Sequence, residues 1–295
     1  MGDNKQTPMS ALIVGGTGHI GSAITRELAS HGWRVSVMTR GGARSRNLVD
    51  VDVDFVQGDG HLPADLLALA QGMDLIVDAA APYPVYPSTP RDEADRAPVA
   101  FATARTRALV CACESAGAAL IAIGSFVTHN LRGQRARTPL GRLRSRTIRR
   151  LHPYFAVKNA VQEELLAAAR RGTRVGILNP TGCLGPWDLK PVGLCLVPMV
   201  ANGTLPASTT DIVDFVDVRD VAIAVRKIYE KRLFGHPILL AGHSLPFGAY
   251  FSAIAKQAGR RPPRLAAPAS LGVLALWTAE RALAPLGKRP PWPSL

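Results

Sequence analysis

Cysteine is scarce and its spacing is uninformative. Cys111, Cys113, Cys183 and Cys195 form no zinc-type pair and are too few for a disulfide scaffold, so free, buried thiols are the expectation. The seven histidines, His19, His31, His61, His129, His152, His236 and His243, likewise fall at no metal-ligand spacing, and no metal site is expected. Long apolar runs are missing too. A membrane-crossing helix needs about 18 uncharged apolar residues, and the nearest stretch, "LAAPASLGVLALWTAERALAPLG", is interrupted by Glu280 and Arg281. The opening residues "MGDNKQTPMS" lack the succession of charged, apolar and small residues that marks a secretion signal, which implies a cytoplasmic protein. No internal repeat is present.

Acid is in deficit: 22 Asp and Glu stand against 35 Lys and Arg, a formal net charge of +13. Between residues 132 and 150 the imbalance is complete, with eight arginines and no carboxylate in "RGQRARTPLGRLRSRTIRR". Aromatic residues make up only 6% of the chain and none is interleaved in this block. Without rings on which bases could stack, the block does not read as a nucleic-acid site.

What the chain does have is 47% hydrophobic residues in 295, enough to bury a full core. Short β-branched runs alternate with helix-length segments. The runs are "ALIVGG" from 11, "RVSVMT" from 34, "DFVQGD" from 54, "DLIVDAA" from 74, "ALIAIGS" from 119, "RVGILNP" from 174 and "PILLAG" from 237. They are apolar throughout instead of alternating, as strands covered on both faces should be. This predicts an α/β fold, a Rossmann-type doubly wound parallel sheet. After residue 180 the rhythm loosens and proline becomes frequent. The expected organisation is therefore a dinucleotide-binding domain over 1–180 and mostly a substrate lobe over 181–295, with strand 237–241 returning to the sheet.

The first strand runs into "VGGTGHIGSA". Gly15, Gly18 and Gly21 recur every third residue between a strand and a helix, so the backbone can approach a pyrophosphate and the helix N-terminus can face its charge. The turn as a whole, Gly15, Thr17, Gly18, His19, Ile20 and Gly21, is the candidate cradle. An acid at the end of the second strand would select the ribose hydroxyls of NAD. The chain has none there, and Thr39, Arg40 and Arg44 instead favour the 2′-phosphate of NADP(H) over NAD(H).

In "HPYFAVKNAVQEELL", Tyr154 and Lys158 lie four residues apart, on one face of a helix. A tyrosine used near neutrality needs its acidity shifted by about three units, about 4 kcal/mol, and a neighbouring cation works in that direction.

These motifs resemble, in order, those of the extended short-chain dehydrogenases/reductases, also called the NAD-dependent epimerase/dehydratase group. The matching stretches are "GGTGHIG", "QGDG", "DAAAP", "IAIGS", Tyr154 with Lys158, "NPTGCLGPWD" and "DFVDVRDVA". The later part is similar to the branch containing dihydroflavonol reductases and hopanoid-associated sugar epimerases. The resemblance implies that Ser125 hydrogen-bonds the substrate oxygen, with Thr128 as the fallback. It implies that Tyr154 donates a proton to that oxygen and that Lys158 holds the cofactor ribose while acidifying the tyrosine. It further places Asp59 at the adenine, Ala80 beneath the nicotinamide ribose, and Pro180 and Cys183 near the nicotinamide amide. Asp220 reads as a helix cap. Two departures stand out: Ala102 occupies the region where many members have an asparagine, and "GSFVTHN" lacks the acids of the family's dehydratases.

The resulting expectation is an enzyme, an NADP(H)-dependent oxidoreductase of the ketoreductase or alcohol dehydrogenase type. The alternatives are a nucleotide-sugar epimerase with tightly bound NAD and a non-catalytic NADP-sensing regulator. Tyr83 and Tyr86, on the proline-rich segment after the fourth strand, are candidate substrate contacts. The arginine block lies between Ser125 and Tyr154 and reads in two ways, as a solvated basic loop or as a patch that recruits a small-molecule substrate that is anionic or carrier-bound. Homodimers are common in the family.

Overall fold

Seven parallel strands order as β10-β6-β5-β4-β1-β2-β3 in the computed structural model, which describes residues 8–41, 45–80, 97–129, 153–189, 196–203, 207–263 and 265–267. They are β1 (Ser10–Val14), β2 (Arg34–Thr39), β3 (Asp54–Gln57), β4 (Leu75–Asp78), β5 (Ala119–Ile123), β6 (Val175–Pro180) and β10 (Pro237–Leu240). The expected Rossmann-type sheet is therefore present, and each apolar run read in the sequence supplies one of its strands. Arg44, Tyr83, Tyr86, Cys195 and the arginine block at 132–150 lie outside the described residues.

Successive residues of each strand point to opposite faces, and both faces are covered. Ala11, Ile13, Val35, Val37, Leu75, Val77, Ala119 and Ile121 pack on α1 (His19–Ser30) and α6 (Val218–Glu230). Leu12, Val14, Ile76, Leu120 and Ala122 pack on α2 (Pro63–Ala70), α3 (Pro98–Ala116) and α4 (Pro153–Arg170). Each helix presents a stripe of buried residues, Ile24 and Leu28 on α1 and Val157, Val161 and Leu165 on α4. Burying each such aliphatic side chain contributes about 1.5–3 kcal/mol. Gly117 ends α3 with φ 66°, a left-handed turn that glycine adopts at little cost, and the chain enters β5 at once.

The chain divides into two compact units, 1–189 with 216–240, and 190–215 with 241–295. In the second, β11 (His243–Pro246) pairs antiparallel with β9 (Ile212–Asp217) through Ile212 to Phe215. Here too β8 (Ala207–Thr209) pairs in parallel with β12 (Leu265–Ala267). A small core of Val200, Phe251 and Ala255 joins α5 (Leu196–Ala201) to α7 (Phe247–Gln257). No helix among the described residues is long and apolar enough to cross a membrane.

Two expectations need correction. The residue capping α6 is Asp217, whose Oδ1 accepts from Arg219 N at 2.8 Å; Asp220 lies one turn further, inside the helix. Both residues follow an apolar strand, and only the entry of the backbone into the helix decides between them. Cys111 is exposed, since it falls on the outer face of α3, whereas Cys113 is buried. His19 is held near the backbone of Gly185 and Pro186, while its Nε2 is buried with no hydrogen-bond partner.

Candidate active site

In a doubly wound sheet, ligands sit beyond the carboxyl ends of the strands where the chain's winding reverses. That point lies between β1 and β4, whose ends are in register at Val14 and Asp78. The glycine turn begins one residue beyond Val14. Gly15 has φ 83°, and a Cβ there would stand 2.7 Å from Ala80 Cβ, so the turn and the β4 loop are in direct apposition. A Cβ on Gly21 would lie 2.1 Å from Gly15 O. Gly18 N donates to Gly15 O at 3.0 Å and precedes α1, whose first turn carries neither a side-chain cap nor an acid. This leaves backbone N–H groups and the positive end of the helix dipole for an anion.

Gly21→Ala should therefore weaken dinucleotide binding by about tenfold or more, because the added methyl meets backbone and cannot be accommodated by a rotamer change. Fluorescence titration with NADPH reads this directly; unchanged affinity would show that the turn is not the cradle.

At the end of β2, the Thr39 hydroxyl is buried without a partner, with Arg40 next in the chain. Thr39 O accepts from Gly58 N at 3.0 Å, which ties β2 to the loop holding Asp59. Asp59 Oδ1 accepts from His61 N at 3.0 Å, so half of that carboxylate is already engaged. His19 packs near Asp188 and Asp217; burial lowers its pKa, and the two carboxylates oppose the shift. Asn47 Nδ2 donates to Thr17 O at 3.1 Å and to Trp187 O at 3.0 Å, fastening the glycine turn to the segment after β7 (Gly182–Leu184). The close-approach turn, the orphaned Thr39 hydroxyl and the uncapped helix start fit a nicotinamide dinucleotide.

Ser125 follows β5 and is buried. Its backbone N donates to Asn179 Oδ1 at 3.0 Å, and its hydroxyl lies 3.5 Å from Val127 N, a weak bond that leaves it largely uncommitted. Asn179, on β6, is fully buried. Its Oδ1 occupies the place a Cβ on residue 124 would take, 1.9 Å from that ideal position, which makes Gly124 obligatory for the contact. Thr128 is differently placed. Its hydroxyl, with one proton to give, lies 2.8 Å from Gln162 Oε1 and 2.9 Å from Ser125 O, and accepts from Asn179 Nδ2 at 2.9 Å. That geometry braces the Ser125 turn more than it presents a substrate contact.

Tyr154 and Lys158 are brought together on the first turns of α4, with Lys158 Nζ 5.8 Å from the tyrosine ring centroid. Lys158 is only 6% exposed. Burial pushes its ammonium down to about 8; Asp78 opposes this and Arg105 adds to it. Pro180 ends β6, and the Cys183 thiol beyond it is pushed up to about 12 by burial, so it stays protonated and inert.

Sequence reasoning missed the pair beneath the lysine. Arg105 Nη1 and Nη2 donate to Asp78 Oδ2 and Oδ1 at 2.7 and 2.8 Å, with both side chains buried. Burial raises the Asp78 pKa, but the Arg105 guanidinium outweighs it and holds the carboxyl below its usual range. The available signal was an acid closing an otherwise apolar buried strand, "LIVD".

A family model for the NAD dependent epimerase/dehydratase family matches residues 11–240, most of the chain. The chain belongs to that family. Relatives are distant. A Synechocystis sp. protein named as a dihydroflavonol 4-reductase is 26% identical over 294 residues, spanning 96% of this chain and 82% of that protein. Sterol demethylase protein B of Methylococcus capsulatus is 26% identical over 269 residues, 89% of this chain and 79% of its own. The crystal structure of gox2253 superposes with a TM-score of 0.76 at 25% identity, covering 95% of this chain and 84% of that one. As a member of this family, the chain is placed among NAD(P)-dependent epimerases, dehydratases and reductases.

Proposed function

We propose that this protein is an NADP(H)-dependent oxidoreductase that reduces a carbonyl, or oxidises the matching alcohol, on a small to medium metabolite. The observation that carries the reading is the buried Lys158 against the ring of Tyr154. A cation held in a site of low polarity favours the phenolate over the phenol and so makes the tyrosine a usable acid near neutral pH. Ser125, with its hydroxyl largely uncommitted, would donate to the same substrate oxygen and stabilise the negative charge that develops on it.

When bound, the dinucleotide supplies the two-electron redox chemistry. Gly15, Gly18 and Gly21 with Thr17, His19 and Ile20 would hold its pyrophosphate, Asp59 its adenine, Ala80 and Lys158 the ribose, and Pro180 and Cys183 the carboxamide side. Thr39 and Arg40 support NADP: a buried hydroxyl without a partner and a cation, with no carboxylate at the end of β2, suit a 2′-phosphate. The same absence weighs against a nucleotide-sugar epimerase with retained NAD.

The test needs no substrate. The purified protein is denatured, any released dinucleotide is identified by mass spectrometry, and the emptied protein is titrated with NADPH and NADH. Preference for NADPH by about tenfold or more is expected, the scale of one charge-assisted contact. Stoichiometric release of NAD with no preference for NADPH would replace this reading by the epimerase.

A further inference from the structure

The mechanism above uses Lys158 and leaves the buried Asp78–Arg105 pair without a task. Placing two charges in the core costs several kcal/mol each, which good mutual geometry only partly offsets, so such a pair is weak evidence for a stabilising role. Here it lies under the catalytic face. Asp78 closes β4, Arg105 projects from α3, and Lys158 comes from α4. A single cavity of about 10 Å³ is lined by Asp78, Lys158, Gln162, Thr128, Asn179 and Gly124 among others. That is room for about one water molecule, with several polar partners within its walls.

Arg105 occupies both carboxylate oxygens of Asp78, and Ala80 N adds a third bond to Oδ1 at 3.1 Å. The carboxylate is thus fixed in position, and it lines the same small cavity as the lysine. Among the described residues, the titratable or charged groups around this cluster are Asp78 on β4, Arg105 and Cys113 on α3, Tyr154 and Lys158 on α4, and His129 beyond β5, whose Nε2 is 3.0 Å from Asn179 Nδ2. Asp59 and His61 lie around Arg105 from the end of β3, and Arg40 at the end of β2 neighbours His61. Asp78 is the anion of this group whose pull on Lys158 is the largest that opposes burial.

We propose that Asp78, clamped by Arg105, is the positioning residue of Lys158: its carboxylate keeps the lysine charged and fixed beside Tyr154, across a cavity sized for one water molecule. The proposal rests on the reductase reading only in calling Lys158 catalytic. Asp78 and Arg105 then act on the lysine in opposite directions, with Asp78 exerting the larger effect. Removing the anion lowers the proton affinity of the lysine; removing the guanidinium while keeping the anion raises it.

The experiment is a pH titration of the full chain labelled with 13C and 15N in its lysines, read by NMR at Lys158 Cε and Nζ. The chain has seven lysines, and Lys158→Met assigns the resonance. In the wild type Lys158 should titrate near 8. In Asp78→Asn its midpoint should fall by about one unit or more, and in Arg105→Gln it should rise. Where Asp78→Asn alone does not fold, Asp78→Asn with Arg105→Gln removes both charges, and the midpoint should still fall because Asp78 exerts the larger effect. A folded variant lacking Asp78 whose lysine titrates at or above the wild-type midpoint overturns the proposal. The readout needs no turnover, so a failure of the reductase reading leaves it standing, and the converse holds.

Discussion

Replacing Tyr154 by phenylalanine should lower turnover by about three orders of magnitude while leaving the affinity for NADPH within about twofold of wild type. The substitution removes one oxygen and nothing else. The ring would keep its edge contact with Phe155, whose centroid is 6.1 Å away, and its place beside Lys158. None of the backbone groups of the glycine turn is touched, so the dinucleotide should bind as before. In the proposed mechanism, what disappears is the proton donor to the substrate oxygen. In that mechanism Ser125 would still stabilise charge on the oxygen, so a residual rate is expected and not complete silence. The measurement pairs steady-state rates, on a carbonyl substrate found by screening, with a fluorescence titration of the cofactor. A Tyr154→Phe variant with wild-type turnover would remove tyrosine from the mechanism; one that neither turns over nor binds NADPH would locate the tyrosine in cofactor binding instead.

Why was the tyrosine visible in the sequence while Asp78 and Arg105 were not? Tyr154 and Lys158 are neighbours by helical spacing, a relation that four residues of sequence already contain. The glycine turn is similarly local: strand, turn and helix follow one another directly. The seven strands were legible because burial on both faces leaves uninterrupted apolar runs. Contacts between elements leave no such trace. Arg105 meets Asp78 across 27 residues and Asn179 meets Ser125 across 54, pairs that exist only once the strand order has been set. Gly124 reads as an ordinary glycine until the Asn179 side chain is seen in its Cβ position. The cap on α6 failed for a subtler reason. Asp217 and Asp220 offer the same chemistry, and the difference between them is where the backbone turns into the helix. Local chemistry was therefore readable, and the support beneath it had to be seen.

That support has a thermodynamic consequence. Lys158→Met should abolish turnover yet make the protein more stable at pH 7, by up to about 3 kcal/mol. In the folded chain the lysine titrates near 8 instead of 10.5, so the native state binds its proton less tightly than the unfolded state does. Below pH 8 both states hold the proton and the full penalty of burying the ammonium applies. Between pH 8 and 10.5 the native lysine has lost its proton while the unfolded one retains it, so wild-type stability rises with pH across that window. Methionine has a similar length and no charge, and it leaves Asp78 and Arg105 as a balanced pair. Urea denaturation at pH 7 and pH 9.5 should show a clear gap that mostly closes at the higher pH, together with lost activity at both. A variant less stable than wild type at pH 7 would mean that the ammonium is held at no net cost, with Asp78 compensating its burial in full. A gap of the expected sign would mean that the fold carries a destabilising charge beside Tyr154, which is the cost expected of a group kept for the proposed chemistry and not for stability.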